Sequence, residues 1–449
     1  MKVKKIIALF LVIFIFVKYL FACTSIESMI PTDEKGKTIQ INYLEQLPKT
    51  DKLVLYRTPI NSWVLDPAVK IFEEIYPDVE VEVRDFGIDE YSAYETFIQT
   101  ELPAGKGPDL IVVGNEDFPN VFKIMETGVF CDLNDFIGSD PDFALDDYNK
   151  VVMDSGVYKG KRYLAPINYE TNILFTNEEA LAAAGMDKES FKTFDGYAGE
   201  IKKYLEKYSS TKLVYKDYLT PNIYFPWNGL RVIDYENKKT NVDGEDFKKV
   251  VDAYKDLFAQ DIGSFAGYDT IEALRKGDIL FHRMRQTLYF AQLYGVMSID
   301  SSPIYFPFPG INGKTTAEVK TSASVLASAQ NKANAYAFLK ILLSEKIQFP
   351  DIMNFYYMPV LDSVLDEMVS AAVEFMEKWI YDGVLAPVSA DVIKDYLDMY
   401  ADVDDCQLYV REVMNEVFET YMMPYFKDED TYENCLNRTR NFLELYISE

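Results

Sequence analysis

Three times between residues 53 and 128 the sequence switches from a strand's pattern to a helix's, and this alternation limits the fold more than any other feature. Leu53-Val54-Leu55-Tyr56 reads as a compact strand. Asp66-Pro67 is expected to open the next helix, with Asp as N-cap and Pro in the first turn. Ala68, Ile71, Phe72 and Ile75 then fall on one helical face, and Pro77-Asp78 breaks the run. VEVEVRDF (79–86) alternates apolar and charged residues as a half-exposed strand does. Asp89 should cap a second helix over roughly 90–101. DLIVVG (109–114) is almost wholly apolar and so predicts a central strand, and a third helix, about 118–126, should end at Gly128. A β-α-β-α-β-α run implies a parallel sheet with helices on both faces.

Gly105-Lys106-Gly107 looks like part of a phosphate-binding loop. In such a loop the glycines and lysine follow a strand and lead into a helix, whose N-terminus faces the phosphate. Here they precede the strand, and no Ser or Thr follows the lysine. Pro103, Gly105, Gly107 and Pro108 therefore predict a tight helix-to-strand turn. Ligands of open α/β sheets lie beyond the carboxyl ends of the strands. That points to Glu116 and Asp117 after the central strand, and to Arg57 through Trp63 after the first.

Composition excludes several classes. The chain of 449 residues exceeds one ordinary core, so two domains are expected. A net charge of −27 argues against nucleic acid as a partner. With His282 as the one histidine, most metal-site and triad chemistry lacks its raw material, and neither cofactor nor metal is expected.

The N-terminus reads as an address. Lys2, Lys4 and Lys5 precede the apolar run Ile6–Val17, which is short for a membrane span but suits a signal peptide. Leu20-Phe21-Ala22-Cys23 then resembles a bacterial lipoprotein box, giving a signal peptide over 1–22 and lipidation at Cys23. Losing residues 1–22 removes four lysines and no acid, which moves the net charge from −27 to −31. Residues 23–51 are expected to form a flexible tether. Cys131, Cys406 and Cys435 remain, an odd number that leaves open whether the last two form a bridge.

Several segments in order resemble one family. GKGPDLIVV…ETGVFCDLNDFI and GVYKGKRYLAPINYETNILFTNEEALAAAG open the series. Residues 224–258, TIEALRKGDILFHRMR (270–285), SAQNKANAYAFLKILLSEKIQ (328–348) and YYMPV (356–360) continue it. Together they are similar to the extracellular solute-binding proteins of ABC importers, the maltose-binding-protein-like family 1. The resemblance implies a two-lobed periplasmic-binding-protein-like α/β fold of type II. Each lobe would be a mostly parallel sheet flanked by helices, with hinge strands crossing between them. Lobe one would span 52–167 plus 322–360. Lobe two would span 168–321 plus 361–449, with a helical C-terminal part in which Ser389 should cap ADVIKDYLDMY. Ala335, Phe338, Leu339 and Leu342 mark the buried face of the return helix. The family's sugar signature has a small residue where Ile173 stands and Tyr where Thr176 stands, so the ligand class stays open.

Sugar recognition pairs aromatic faces with acids, amides and arginines that fork onto hydroxyls. The candidates are Trp63, Glu116, Asp117, Tyr169, Glu170, Tyr224, Trp227, Arg285 and Tyr357, of which Glu170 and Trp227 rest chiefly on the resemblance. Arg283 and Arg285 flank Met284 and either bind an anionic ligand group or pair with local acids. The expected function is capture of a small solute, most readily a sugar or oligosaccharide, and delivery to an ABC permease. The protein would be lipid-anchored outside the membrane of a Gram-positive cell. The alternatives are a binder of peptide or another non-sugar solute, a surface receptor, and a glycan hydrolase with two carboxylates. With 72 acids, a carboxylate pair discriminates nothing, and no nucleophile elbow is present.

Overall fold

The computed structural model describes residues 43–449 apart from 115–117, 119, 209–210, 216–218, 261–269, 286, 350–356, 380–384 and 409. The expected signal peptide, Cys23, Glu116 and Asp117 therefore lie outside the described residues. By contacts the chain divides into Met1–Gln46 and Leu47–Glu449. Of the first unit, Tyr43–Gln46 forms a 3-10 turn. No described helix is long and apolar enough to cross a membrane.

The larger unit is a two-lobed α/β fold built on two mixed sheets. The first sheet draws on β1 (Lys52–Arg57), β2 (Glu80–Asp85), β3 (Leu110–Gly114) and β4 (Ala165–Thr171). The second is made of β5 (Ile173–Asn177), β6 (Leu213–Tyr215), β7 (Ile279–Met284) and β8 (Pro303–Pro307). Later parts of the chain return to the first sheet as β9 (Thr316–Val325), β10 (Met358–Pro359) and β11 (Asp405–Gln407). The strand orders are β10-β4-β9-β3-β1-β2, with β11 against β9, and β8-β5-β7-β6. The chain leaves the first sheet for the second at Asn172, between β4 and β5.

The sheets are mixed, not mostly parallel. The β1–β2 and β1–β3 pairs are parallel, as the opening alternation predicts. The β9–β3, β9–β4 and β10–β4 pairs are antiparallel. The crossing strands β4 and β9 run in opposite directions because one leaves the first sheet and the other returns to it. The C-terminal part is also not wholly helical, since Asp405–Gln407 adds parallel to the outer end of β9.

The turn before β3 behaves as its glycines predict. Gly105 sits at φ 73 and Gly107 at φ 144. A side chain at Gly107 would approach Phe97 and Leu326 to 3.1 Å. The first helix starts earlier than expected, at Ser62. Asn61 rather than Asp66 organises its start: the Asn61 carboxamide accepts from Thr58 N and donates to Val112 O at 2.7 Å. Asp66 instead holds Arg57 through two hydrogen bonds of 2.7 and 2.9 Å. Asp89 lies in a 3-10 turn and caps nothing; the helix that follows, Tyr91–Thr96, continues as a π-turn over Phe97–Glu101. The third helix begins at Val121, after Asn120 in a left-handed conformation, and Gly128 follows it at φ 74. Ser389 does cap Ala390–Ala401, its hydroxyl accepting from Val392 N. The return helix Lys332–Leu342 buries Ala335, Phe338, Leu339 and Leu342, and Phe338 packs on Phe72 at 5.6 Å. Cys131, Cys406 and Cys435 are free thiols.

Glu126, at the end of the third helix, ties that helix to the Val157–Arg162 hairpin and the Ile233–Thr240 hairpin. It pairs with Lys159 and, at 3.3 Å, with Lys238, and it accepts from the Tyr158 hydroxyl at 2.8 Å. The Lys159 ammonium first, then Tyr158 and Lys238, hold its carboxyl at about 2, below the ordinary 4.5. A depressed carboxylate stabilises the fold above its unfolded pKa, and that contribution fades as pH falls through the folded one. Glu126→Gln should therefore cost of order 1 kcal/mol at pH 6, after discounting for solvent screening at a partly exposed group. The gap should close between about pH 4.5 and pH 2. Urea midpoints measured across that window would show it; a gap constant with pH would refute the assignment.

Candidate functional site

Strand β4 carries the densest cluster of buried polar groups near the point where the chain changes sheets. Its seven residues are all buried, and period-two alternation puts Asn168 and Glu170 on one face and Tyr169 on the other. Glu170 is 4% exposed and pairs across the ladder with Glu318 of β9. Two carboxylates side by side would repel. Lys320 resolves this, because the β9 register slips between Val319 and Thr321 and frees Lys320 from the regular ladder. Its ammonium lies 3.1 Å from Glu318 and 3.4 Å from Glu170 Oε1. Arg285, just past β7 in the second sheet, approaches Glu170 Oε2 at 3.8 Å while its own side chain stays 43% exposed.

Several polar atoms here are unused. Glu170 Oε2 is buried and makes no hydrogen bond, and neither do both amide atoms of fully buried Asn168. A buried polar atom without a partner is costly, and such atoms are rare in native folds. The Arg285 backbone, by contrast, is held: the Tyr400 hydroxyl donates to its carbonyl at 3.2 Å. Burial, and after it the Glu170 charge, pushes the Tyr400 phenol well above its ordinary range, so it acts as a neutral donor.

Aromatic groups flank this cluster. Met358 of β10 pairs with Tyr169, which brings Tyr357 to the Glu170 end of the strand. Trp63, the second residue of its helix and half-buried, lies 6.2 Å from the Tyr357 ring. Trp63, Tyr357, Glu170 and Arg285 thus gather around the end of β4. Tyr169 is 1% exposed and faces away from them. Tyr224 and Trp227, on the helix Pro221–Trp227, are 0% and 3% exposed. Tyr224 packs on Tyr254 at 5.2 Å, and Trp227 packs on Phe308 at 5.5 Å with the Arg283 guanidinium 4.7 Å over its ring. The two arginines therefore diverge, one onto an acid and one onto an indole.

Sequence reasoning missed Lys320, Glu318, Asn168 and Tyr400. A signal existed for the first two, since they are the charged residues inside the long, otherwise uncharged TAEVKTSASV. Tyr400 had none, being distant in sequence from the arginine it supports.

A cavity of about 350 Å³ opens elsewhere, between Phe122, Ser155, Val157, residues 230–233 and 406–408, and Met414. No predicted site residue lines it, and its two aromatics, Phe122 and Tyr235, are stacked on each other at 4.1 Å. The Glu170 cluster, with its unused acceptors, is the better candidate. Among the described residues, no group of three or more His, Cys, Asp or Glu side chains could hold a metal ion.

Residues 57–349 match the family model described as bacterial extracellular solute-binding protein. The search of curated proteins found no match. Among solved structures, the chain resembles the sugar-binding protein MalE from Xanthomonas citri, with 15% identity, 88% of this chain and 97% of that chain covered, and a TM-score of 0.64. It also resembles an ABC substrate-binding protein from Listeria monocytogenes in complex with cycloalternan, at 16% identity, 88% and 99% coverage and a TM-score of 0.58. The cyclic alpha-maltosyl-1,6-maltose binding protein from Arthrobacter globiformis matches at 18% identity, 88% and 99% coverage and a TM-score of 0.58. At these identities the likeness establishes the fold.

Proposed function

This chain belongs to the bacterial extracellular solute-binding proteins, and from that premise we propose that it captures a sugar or oligosaccharide in a cleft between its lobes and delivers it to an ABC importer's permease. The protein binds and releases; it is not an enzyme. The lobes are taken as 52–167 plus 322–360 and 168–321 plus 361–449, with the chain anchored through lipid on Cys23 outside a Gram-positive cell. The observation that carries the ligand class is the unused acceptor on buried Glu170, beside the Trp63–Tyr357 ring pair. A carboxylate oxygen accepts from sugar hydroxyls, and aromatic rings cover the apolar faces of a pyranose. Glu116 and Asp117 would complete the wall contributed by β3, and Trp227 and Tyr224 would support the opposite lobe.

Closure would follow from contacts to both lobes, which favour the closed state by the ligand's differential affinity. The test is a thermal-shift screen of the chain lacking residues 1–22 against mono- and oligosaccharides, peptides and polyamines. Ligand at a hundred times its Kd stabilises by about 2.7 kcal/mol, a shift of several degrees. If a peptide or anion shifts the transition while no sugar does at millimolar concentration, the carbohydrate reading is wrong and Arg285 becomes the lead residue. Trp63→Ala should weaken sugar binding about tenfold, the loss of one stacking face. Its melting temperature should change little, because the ring is only half-buried. Equal affinities in a calorimetric titration would remove Trp63 from the site.

A further inference from the structure

The second sheet ends on β8, whose free side faces a groove unrelated to the Glu170 cluster. The ladder to β5 is pinned at both ends: Glu178 N donates to Ser302 O at 2.9 Å and Phe308 N to Asn172 O at 2.8 Å. In an antiparallel pair every second residue bonds the partner strand. Residues 304 and 306 therefore face β5, and Pro303, Tyr305 and Pro307 face outward. Two of these three outward residues are prolines and have no N–H. The edge consequently offers three carbonyls and a single amide, that of Tyr305. Two copies of such an edge cannot form a ladder with each other, which is one way natural sheets avoid aggregation. A guest strand that supplies its own N–H donors can pair with it.

The groove beside this edge has a volume of about 580 Å³ and is walled by residues 188–192 and 309–315. Gly310 makes the second wall possible, since a Cβ there would sit 2.3 Å from the Lys314 carbonyl oxygen. Phe191 and Phe306, stacked at 5.3 Å, contribute its apolar surface. Its charged residues are Lys188, Lys192, Lys314 and a single acid, Glu189, which pairs with Lys192 at 2.5 Å. Lys188 and Lys314 are exposed and have no acidic partner among the described residues. In a chain of net charge −27, a groove with three lysines and one acid reverses the prevailing sign.

We infer that this groove docks an extended, acidic peptide segment of a partner protein as an added strand on β8. The guest's amides donate to the carbonyls of Pro303, Tyr305 and Pro307, its apolar side chains meet Phe306, and its carboxylates meet Lys188, Lys192 and Lys314. Backbone pairing supplies affinity in this mode, and the side-chain rim supplies selectivity. The acceptor-rich edge and the lysines select for the same guest, one that brings both hydrogen-bond donors and negative charge.

The probe is a capped peptide of alternating Glu and Val, titrated calorimetrically into the full chain. Four comparisons accompany it: a Lys/Val peptide, the Glu/Val peptide N-methylated at alternate amides, the Lys188→Glu/Lys192→Glu/Lys314→Glu variant, and Glu170→Gln. Saturable binding of the acidic peptide is expected. It should fall at least tenfold on N-methylation, at least tenfold with the triple variant, and further as salt is raised. The Lys/Val peptide should not bind, and Glu170→Gln should leave peptide binding unchanged. No binding, indifference to N-methylation or to the triple variant, or loss of peptide binding in Glu170→Gln would each overturn the assignment. The last result would place the peptide in the solute site instead.

Discussion

Replacing Asp109 by alanine is expected to destabilise the protein by about 3–5 kcal/mol, as read from the urea midpoint. Asp109 is 5% exposed and stands just before β3. Its Oδ2 accepts from Val54 N at 2.9 Å, and its Oδ1 from Gln330 N at 2.9 Å and Asn331 N at 3.0 Å. One carboxylate thereby joins the first strand, the central strand and the start of the return helix. Each hydrogen bond to a charged acceptor contributes about 1.5–3 kcal/mol, and alanine leaves three amides without a partner. Water entering the gap recovers part of the loss, hence the upper bound near 5 rather than 9. Asparagine should fall between, because its oxygen keeps one or two of these bonds while its NH2 confronts the remaining amide. Asp66→Ala is the control: its ion pair with Arg57 is partly exposed and should be worth no more than about 1 kcal/mol. If Asp109→Ala cost as little as Asp66→Ala, the stitching role would be wrong.

The second large effect concerns the solute. Glu170→Gln should weaken binding of whichever sugar raises the melting temperature most by about 30- to 100-fold, or 2–3 kcal/mol. The carboxylate is buried and held in place by Lys320 at 3.4 Å, so a hydroxyl meeting Oε2, which Arg285 approaches only at 3.8 Å without a hydrogen bond, makes a charge-assisted hydrogen bond in a poorly screened setting. Gln keeps the shape but loses the charge and presents an NH2 where an acceptor is needed. Stability should change far less, because Lys320 retains Glu318 at 3.1 Å. A calorimetric titration within threefold of the wild type would remove Glu170 from the site.

Features governed by a few neighbouring residues could be read directly from the sequence. Gly105 and Gly107 take up the left-handed backbone their turn requires, and Ser389 caps its helix as predicted. The apolar face of Lys332–Leu342 is buried as its spacing indicates. The errors have a common cause, which is competition from distant groups. Asp66 has the chemistry of a cap, but Asn61 starts the helix because its carboxamide reaches Val112 O on β3. Asp405–Gln407 has no strand pattern of its own and is extended because β9 has an unpaired side there.

The sequence by itself determined the α/β class and the rejection of a phosphate loop. Those follow from periodicity, turn chemistry and segment order, which act over a few residues or along the chain. The tertiary structure decided which side chains meet Glu170. Lys320 arrives through a slipped register, Arg285 from the other sheet, and Tyr400 from the C-terminal helices to hold that arginine's backbone. A charge buried in one strand must be matched by whatever the fold brings alongside it, and that pairing spans more than a hundred residues of chain.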